Sequence, residues 1–135
     1  MNATLSPQQP LRFRWLWELI GALLISFVIY ESLTRNPITI PLEHGDKYGH
    51  VLAYATLMFW FAQLHGEAKA RFACGIAFVA MGIGLEFLQG LTDYRTFEVR
   101  YMIADTYGVV MGWIVAPPRS PPLLRLIESR LPARF

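Results

Sequence analysis

Apolar segments long enough to cross a lipid bilayer dominate this sequence. A hydrocarbon core about 30 Å thick needs roughly 20 mostly apolar residues per helix, and four segments approach that length, at about 15–33, 48–64, 72–91 and 101–115. The 135 residues are 54% hydrophobic and only 16% charged, which is more apolar than an ordinary soluble domain. We therefore predict an all-α membrane protein with four transmembrane helices and a short C-terminal amphipathic segment.

The distribution of basic residues predicts the orientation of these helices. We expect the first segment to be retained as a span, since no small-residue cleavage site follows it. Lys and Arg accumulate in short cytoplasmic segments, and eight of the 12 basic residues lie on the side of the two termini. Both termini are therefore predicted to be cytoplasmic, with the loops 34–47 and 92–100 outside. The eight residues are Arg12, Arg14, Lys69, Arg71, Arg119, Arg125, Arg130 and Arg134.

Three regions are predicted along the chain. Residues 1–11 are polar and contain two prolines, which favours a disordered N-terminal tail. Residues 12–115 form the four-helix transmembrane domain, and residues 116–135 form a cytoplasmic, proline-rich tail. In that tail an apolar helical face is flanked by charged residues, which predicts a short helix on the inner membrane surface; a disordered basic tail is the alternative. The apolar face comprises Leu123, Leu124, Ile127 and Leu131, and Arg125, Glu128 and Arg130 lie off it.

Four polar side chains interrupt the apolar segments at a similar predicted depth. At about 1.5 Å per residue, Glu86, Asp105, His50 and Tyr54 all lie within about 9 Å of the outer ends of their helices. Ionisable residues in membrane helices face the bundle interior and pair with one another, because contact with lipid costs several kcal/mol. The sequence therefore predicts one polar cluster in the outer third of the membrane.

Helical spacing defines two faces of this cluster. Asp46, His50 and Tyr54 follow at i, i+4 and i+8, so they lie along one face if the second helix begins early enough. Glu86 and Gln89, at i and i+3, lie on one face of the third helix. The two faces are expected to meet inside the bundle.

Glycines and cations complete the predicted arrangement. Gly108 and Gly112 form a small-xxx-small pair, which predicts close packing of the fourth helix against a partner. Lys47, Arg95 and Arg100 lie in or next to the outer loops, where they can supply positive charge to the cluster. The chain has a single cysteine and no CxxC or HExxH motif, so we predict no metal site and no cofactor, and no nucleic-acid motif is present.

Four motifs between Asp46 and Gly112 carry a family resemblance. They are Asp46-Lys47-x-x-His50-x-x-x-Tyr54, Glu86-x-x-Gln89, Arg95 with Phe97-Glu98, and Ala104-Asp105-Thr106-x-Gly108-x-x-x-Gly112. With the spacing between them, they resemble the VanZ-like family of small bacterial membrane proteins, named for a member that lowers susceptibility to teicoplanin. The resemblance implies a four-helix protein of the bacterial cytoplasmic membrane, linked to the cell envelope and to antibiotic resistance.

Three positions depart from the family pattern. The family often has an acidic residue at the position of Tyr101 and an asparagine at that of Asp105. An acid–base or metal scheme that needs both carboxylates is therefore weakened in this chain. Tyr94 replaces a glycine that often precedes the family arginine, which predicts a different turn there.

The function we expect first is binding of an amphiphile. In this hypothesis the outer cluster recognises the polar head of a lipid-linked envelope precursor, a phospholipid or a lipoglycopeptide, whose tail lies between the helices. The mixed charge of the cluster suits such a head group. The predicted ligand-binding residues are Asp46, Lys47, His50, Tyr54, Glu86, Gln89, Arg95 and Asp105.

Other classes of function remain open at this point. A membrane enzyme acting on a phosphate-bearing lipid would use Glu86 or Asp105 as general base and His50 as acid or metal ligand. A structural subunit of a membrane assembly is a third hypothesis, suggested by the amphipathic tail. The polar cluster would alternatively be a structural network, and not a binding site, that holds three helices in register. Its members would be Glu86, Gln89, Asp105 and Arg95.

Overall fold

The protein is all-helical over the residues that the structure describes. A computed structural model describes residues 10–132 and contains, within them, five helices and no strand, which confirms the all-α class. Most of the predicted disordered tail, residues 1–9, lies outside the described residues. The helices are α1 (Arg14–Leu33), α2 (Gly45–Leu64), α3 (Ala68–Gly90), α4 (Val99–Val115) and α5 (Leu123–Ser129).

Two of the described helices, α1 and α3, are long and apolar enough to cross a membrane. They have 20 and 23 residues and a mean hydropathy of 1.7 over their most apolar stretch. Only 22% of that stretch in α1 and 33% in α3 is buried inside the protein. A core helix of a soluble protein would be mostly buried, so these two helices are unusual in presenting apolar surface outward.

The other two predicted spans, α2 and α4, do not meet the same criterion among the described residues. Helix α2 begins at Gly45 rather than at residue 48, and thereby includes Asp46 and Lys47. Helix α4 begins at Val99, includes Arg100, and has only 17 residues. An apolar segment in the sequence marks only the apolar part of a helix. The helical backbone hydrogen bonds extend into a polar first turn, so the helix begins before that segment.

Close packing of α2 against α4 forms the centre of the bundle. A Cβ atom at Gly108 would lie 2.4 Å from the carbonyl oxygen of Val51, and one at Gly112 would lie 2.4 Å from that of Ala55. Only glycine permits this approach of two backbones. The core around the contact includes Leu57 and Met58, which are fully buried.

Helix α1 approaches α2 closely at one end of the bundle. A Cβ atom at Gly21 would lie 2.8 Å from the ring of Phe61, which shows how closely α1 and α2 approach there. We call this the lower end; the upper end is where α1 and α3 end and α2 and α4 begin. Towards the upper end α1 and α2 separate, and the segment that joins them lies over the gap.

Helix α5 and the residues before α1 pack together at the lower end. Leu11 and Leu124 are buried with Trp17 and Leu64 in a small apolar cluster. Leu11 was expected in the disordered tail, but this contact holds it against the bundle. In α5 it is Leu124 and Glu128 that face the protein, whereas Leu123 and the other predicted apolar residues are exposed. Those exposed residues are Leu123, Ile127 and Leu131.

Candidate functional site

A cavity of about 420 Å³ opens between α1, α2 and the segment that joins them. Cavities of this size enclose much of a small ligand or one part of a larger one. The wall near the middle of the bundle is apolar and comprises Leu24, Phe27, Val28, Leu52, Ala53 and Leu57. The portion at the upper end is polar and comprises Glu31, Asp46, His50, Arg95 and Tyr101.

His50 is held from two sides in the polar portion. Its Nδ1 lies 2.7 Å from Oδ1 of Asp105, and its ring stacks on that of Tyr101 with 4.5 Å between the ring centroids. The Tyr101 hydroxyl donates a hydrogen bond to Asp46. Because Nδ1 faces Asp105, Nε2 is the ring nitrogen that remains available to a molecule in the cavity. Tyr54, one turn further along α2, also lines the cavity and is 2% exposed.

The helical spacing explains this arrangement. Asp46 and His50 are i and i+4 on α2, and Tyr101 and Asp105 are i and i+4 on α4. Each helix therefore presents two side chains, one turn apart, on the face that meets the other helix. The glycine contacts described above bring the two faces close enough for both pairs to form.

Asp105 lies behind His50 and outside the cavity wall. It is only 2% exposed, and a Cβ atom at Gly82 of α3 would lie 2.8 Å from its Oδ2. Loss of the partner of a buried carboxylate strongly destabilises a protein, because the charge is then buried without compensation. Asp105 therefore orients His50, and the glycine on α3 leaves the space that the carboxylate occupies.

The polar residues of α3 bind backbone groups of neighbouring elements. Glu86 accepts a hydrogen bond from the backbone N–H of Glu98, at 2.7 Å, just before α4 begins. Gln89 donates through Nε2 to the carbonyl of Ser32 near the end of α1, at 2.6 Å. Both side chains are at most 2% exposed and neither lines the cavity. This is the geometry of a clamp that joins the ends of three helices.

The three predicted cations are divided between two places. Arg95 lines the cavity and donates to the carbonyls of Glu31 and Thr34, at 2.9 and 3.0 Å. These carbonyls belong to the last turn of α1 and the residue after it, where helices leave acceptors without partners. Lys47 and Arg100 instead line a second groove between α2 and α4, outside the cavity.

The lower end carries a polar cluster of a different kind. Glu128 accepts hydrogen bonds from the backbone N–H groups of Arg12 and Phe13 and from the indole Nε1 of Trp17, each at 2.8 Å. Helix α1 has no side-chain cap of its own, so a carboxylate from α5 serves its N-terminus. Burial raises the pKa of the Glu128 carboxyl, but the hydrogen bonds from Phe13, Trp17 and Arg12 outweigh it and hold the pKa below 4.5.

Arg71 binds backbone oxygens at the same end. Its guanidinium donates to the carbonyls of His65, Ala62 and Pro117, at 2.8, 2.9 and 2.6 Å. These carbonyls follow or end α2 and α4, so one side chain of α3 joins two helix C-termini. The donors of Arg71 are thereby used within the protein.

Half of the predicted ligand-binding residues line the cavity. These are Asp46, His50, Tyr54 and Arg95. Asp105 touches one of them. The remaining three, Lys47, Glu86 and Gln89, do not line the cavity. Sequence reasoning misses Glu31, although a lone carboxylate inside an apolar segment is itself a signal of a polar site. It also misses Gly49, which lines the cavity and leaves part of it open.

Residues 10–132 contain no group of three His, Cys, Asp or Glu side chains placed to hold a metal ion. The chain matches no protein-family model, no curated protein and no solved structure.

Proposed function

We propose that the chain is an integral membrane protein with four spans, whose cavity binds the polar head of an amphiphile. Helices α1 and α3 supply two apolar spans that expose most of their surface. Helices α2 and α4 run in the opposite direction between them, and their acidic and basic residues lie near the upper end. A membrane interface at the upper end would leave these charges at or near the head-group region.

The orientation and the family are part of the same proposal. The excess of basic residues at the lower end supports a cytoplasmic location for both termini. The motifs described above support membership of the VanZ-like family, a place in the bacterial cytoplasmic membrane and an influence on antibiotic susceptibility. A reporter fused after Phe135 should be active only on the cytoplasmic side; activity on the opposite side would overturn this topology.

The observation that carries the binding proposal is the composition of the cavity. One molecule placed in it would meet charged side chains at the upper end and an apolar wall further down. An amphiphile has the same division, because its head needs hydrogen-bonding partners and its tail gains free energy by leaving water. We therefore place the head near His50 and Asp46, and the tail along α1 and α2 beside Leu52 and Leu57.

A cavity-filling substitution tests the proposal. A Cβ atom at Gly49 would meet only the side chain of Ile40, at 3.8 Å, so Gly49→Leu should fill the cavity with little strain. Gly84→Leu is the matched control, because a Cβ atom there meets nothing within 4 Å and the residue is exposed on α3. Both variants replace a helical glycine, which favours helix formation by up to about 1 kcal/mol.

The measurement is native mass spectrometry of the full chain released from micelles that contain a defined phospholipid mixture. The wild-type protein and Gly84→Leu should retain one tightly held lipid that Gly49→Leu has lost. Equal retention by all three proteins, each with an undiminished melting temperature, would overturn binding in this cavity.

A second function, catalysis on a phosphate-bearing lipid, is favoured by the pairing of His50 with Asp105. A histidine oriented by a buried carboxylate, with its other nitrogen available to a cavity, is the arrangement of a general base. The base here would be His50, whereas Asp105 would hold the ring and Glu86 would have no part. The substrate would lie in the same cavity as the proposed ligand.

Catalysis and binding separate in one comparison. The wild-type protein and His50→Gln are incubated with the retained lipid in proteoliposomes, and the lipids are analysed by mass spectrometry. A product formed by the wild-type protein, and lost in a His50→Gln variant that still retains the lipid, would establish the enzyme. An unchanged lipid in both would leave binding as the function of the cavity.

A further inference from the structure

We infer that the head group bound in the cavity is zwitterionic, with a primary ammonium beside a phosphate diester. This inference rests on the proposed function and names the class of its ligand. It follows from the charges that line the polar portion of the cavity and from the partners that each of them already has.

Two carboxylates, Glu31 and Asp46, line the polar portion of the cavity. Glu31 accepts a hydrogen bond from the backbone N–H of Ile38, at 2.7 Å, and Asp46 accepts one from the Tyr101 hydroxyl. Neither carboxylate forms an ion pair with Lys or Arg among residues 10–132. Each carboxylate has two oxygens with further lone pairs, so both can accept additional hydrogen bonds.

One guanidinium lines the same cavity as these two carboxylates. Arg95 lines the cavity, and its contacts with the carbonyls of Glu31 and Thr34 use one terminal nitrogen, so its other donors remain. Lys47 is directed towards Glu98, at 4.0 Å, and lies with Arg100 in the other groove. Lys47 and Arg100 would make the cavity selective for simple anions if they lined it, but both lie outside it.

The polar portion of the cavity offers a ligand charges of both signs. The positive charge that His50 carries when protonated is balanced by Asp105, which leaves two carboxylates and one guanidinium to face the ligand. A purely anionic head would be attracted by Arg95 and repelled by Glu31 and Asp46. A head with both charges places its phosphate at Arg95, in a charge-assisted hydrogen bond, and its ammonium at the carboxylates.

The carboxylates also select among cations. A primary ammonium offers three N–H donors, which carboxylate oxygens accept. A quaternary ammonium offers none, and it is normally recognised by aromatic faces. Among the aromatic residues that line the cavity, Tyr101 already stacks one ring face on His50, at 4.5 Å between centroids. Tyr54 is only 2% exposed, and Phe27 belongs to the apolar wall. An ethanolamine-type head is thus preferred over a choline-type head.

The experiment presents three lipids in competition to the full chain. Phosphatidylethanolamine, phosphatidylglycerol and phosphatidylcholine with identical acyl chains are mixed in equal amounts in micelles, and the retained lipid is identified by native mass spectrometry. The complex with phosphatidylethanolamine has one more charged hydrogen bond than the complexes with the other two lipids. This bond should favour its retention by about tenfold. Glu31→Gln and Asp46→Asn should each reduce that preference, since they remove a negative charge and keep an acceptor oxygen.

Glu43→Gln is the matched control. It removes the same charge from the same segment of the chain, but the Glu43 side chain is 92% exposed and does not line the cavity. It should leave the preference unchanged. Soluble phosphoethanolamine, which has the same head without a tail, should compete at least tenfold less well than the lipid, because it gains nothing from the apolar wall.

The outcomes separate the inference from the proposed function. A tightly held lipid that is phosphatidylglycerol, or a preference that Glu31→Gln and Asp46→Asn do not change, overturns the zwitterionic head while binding stands. Retention of no lipid at all overturns both. Competition by phosphoethanolamine equal to that of the lipid would show a head-group site without a tail site, and would overturn the amphiphile.

Discussion

The two ends of the bundle use the same kinds of polar side chain in different ways. At the lower end Glu128 and Arg71 lie against backbone groups of helix ends, and each makes three hydrogen bonds to backbone or indole partners. At the upper end Asp46 and His50 each have one side-chain hydrogen-bond partner and also line a cavity. The lower cluster is closed, and the upper cluster is open to a ligand.

The difference lies in what satisfies each polar group. A buried polar group needs partners, and those partners come either from the protein or from a bound molecule. At the lower end the protein itself supplies the partners of Glu128 and Arg71, so removal of either side chain should reduce stability. At the upper end the protein uses only part of the hydrogen-bonding capacity of the polar side chains. Removal of one of these side chains should therefore change binding more than stability.

The largest effect is expected for Glu128→Ala. The N–H groups of Phe13 and Arg12 and the indole of Trp17 would lose their acceptor, which should lower the free energy of unfolding by about 2–4 kcal/mol. Glu67→Ala is the control, because Glu67 is exposed and has no side-chain cap contact. Thermal melting in detergent measures the difference; equal melting of the two variants would mean that the lower cluster does not hold α5 and α1 together.

A smaller loss of stability is expected for substitution of Glu86. This residue lies at the upper end, but its carboxylate binds a backbone N–H group and does not line the cavity. Glu86→Leu leaves the N–H of Glu98 without an acceptor and should cost about 1–3 kcal/mol. Glu86→Gln keeps an acceptor oxygen and should melt close to the wild-type protein. Lipid retained per folded protein should be unchanged in both, because Glu86 does not line the cavity. A stable Glu86→Gln that has lost its lipid would place Glu86 in the ligand site.

Protonation of Glu128 at low pH should reduce stability by a smaller amount than the substitutions above. Because the pKa of Glu128 is lower in the folded protein than the usual 4.5, its ionised form stabilises the fold at pH values above 4.5. That contribution is lost as the pH falls through the folded pKa. The melting temperature of the wild-type protein should therefore fall more steeply below pH 4.5 than that of Glu128→Gln. Parallel curves for the two proteins would contradict the lowered pKa.

The smallest effect on stability is expected for Asp46→Asn. Asp46 is exposed, and an amide oxygen can still accept the hydrogen bond from Tyr101, so the change should stay within about 0.5 kcal/mol. Asp93→Asn, where the side chain is 86% exposed, is the control for removal of one charge from the upper end. A loss of stability at Asp46 as large as that at Glu128 would show that the upper cluster is closed as well.

The sequence by itself determined the helices and the residues that had to be explained. Apolar segments predict four of the five helices found in residues 10–132, with bounds correct to within a few residues, because burial and lipid both demand continuous apolar stretches. Spacing along α2 put Asp46, His50 and Tyr54 on one face, since that depends only on the geometry of a single helix. The charge of a residue such as Glu86 in an apolar helix already showed that it needed a partner.

Only the tertiary structure decided which partner each polar residue has. Glu86 and Asp105 have a similar predicted depth and similar chemistry, yet one binds the backbone before α4 and the other binds His50. Lys47 and Arg95 both lie near the upper loops, and only Arg95 lines the cavity. These choices depend on the rotation and separation of neighbouring helices, which the close contacts at Gly82 and Gly108 help to set. One chain's periodicity carries no information about such distances, because they arise from packing between helices that are far apart in sequence.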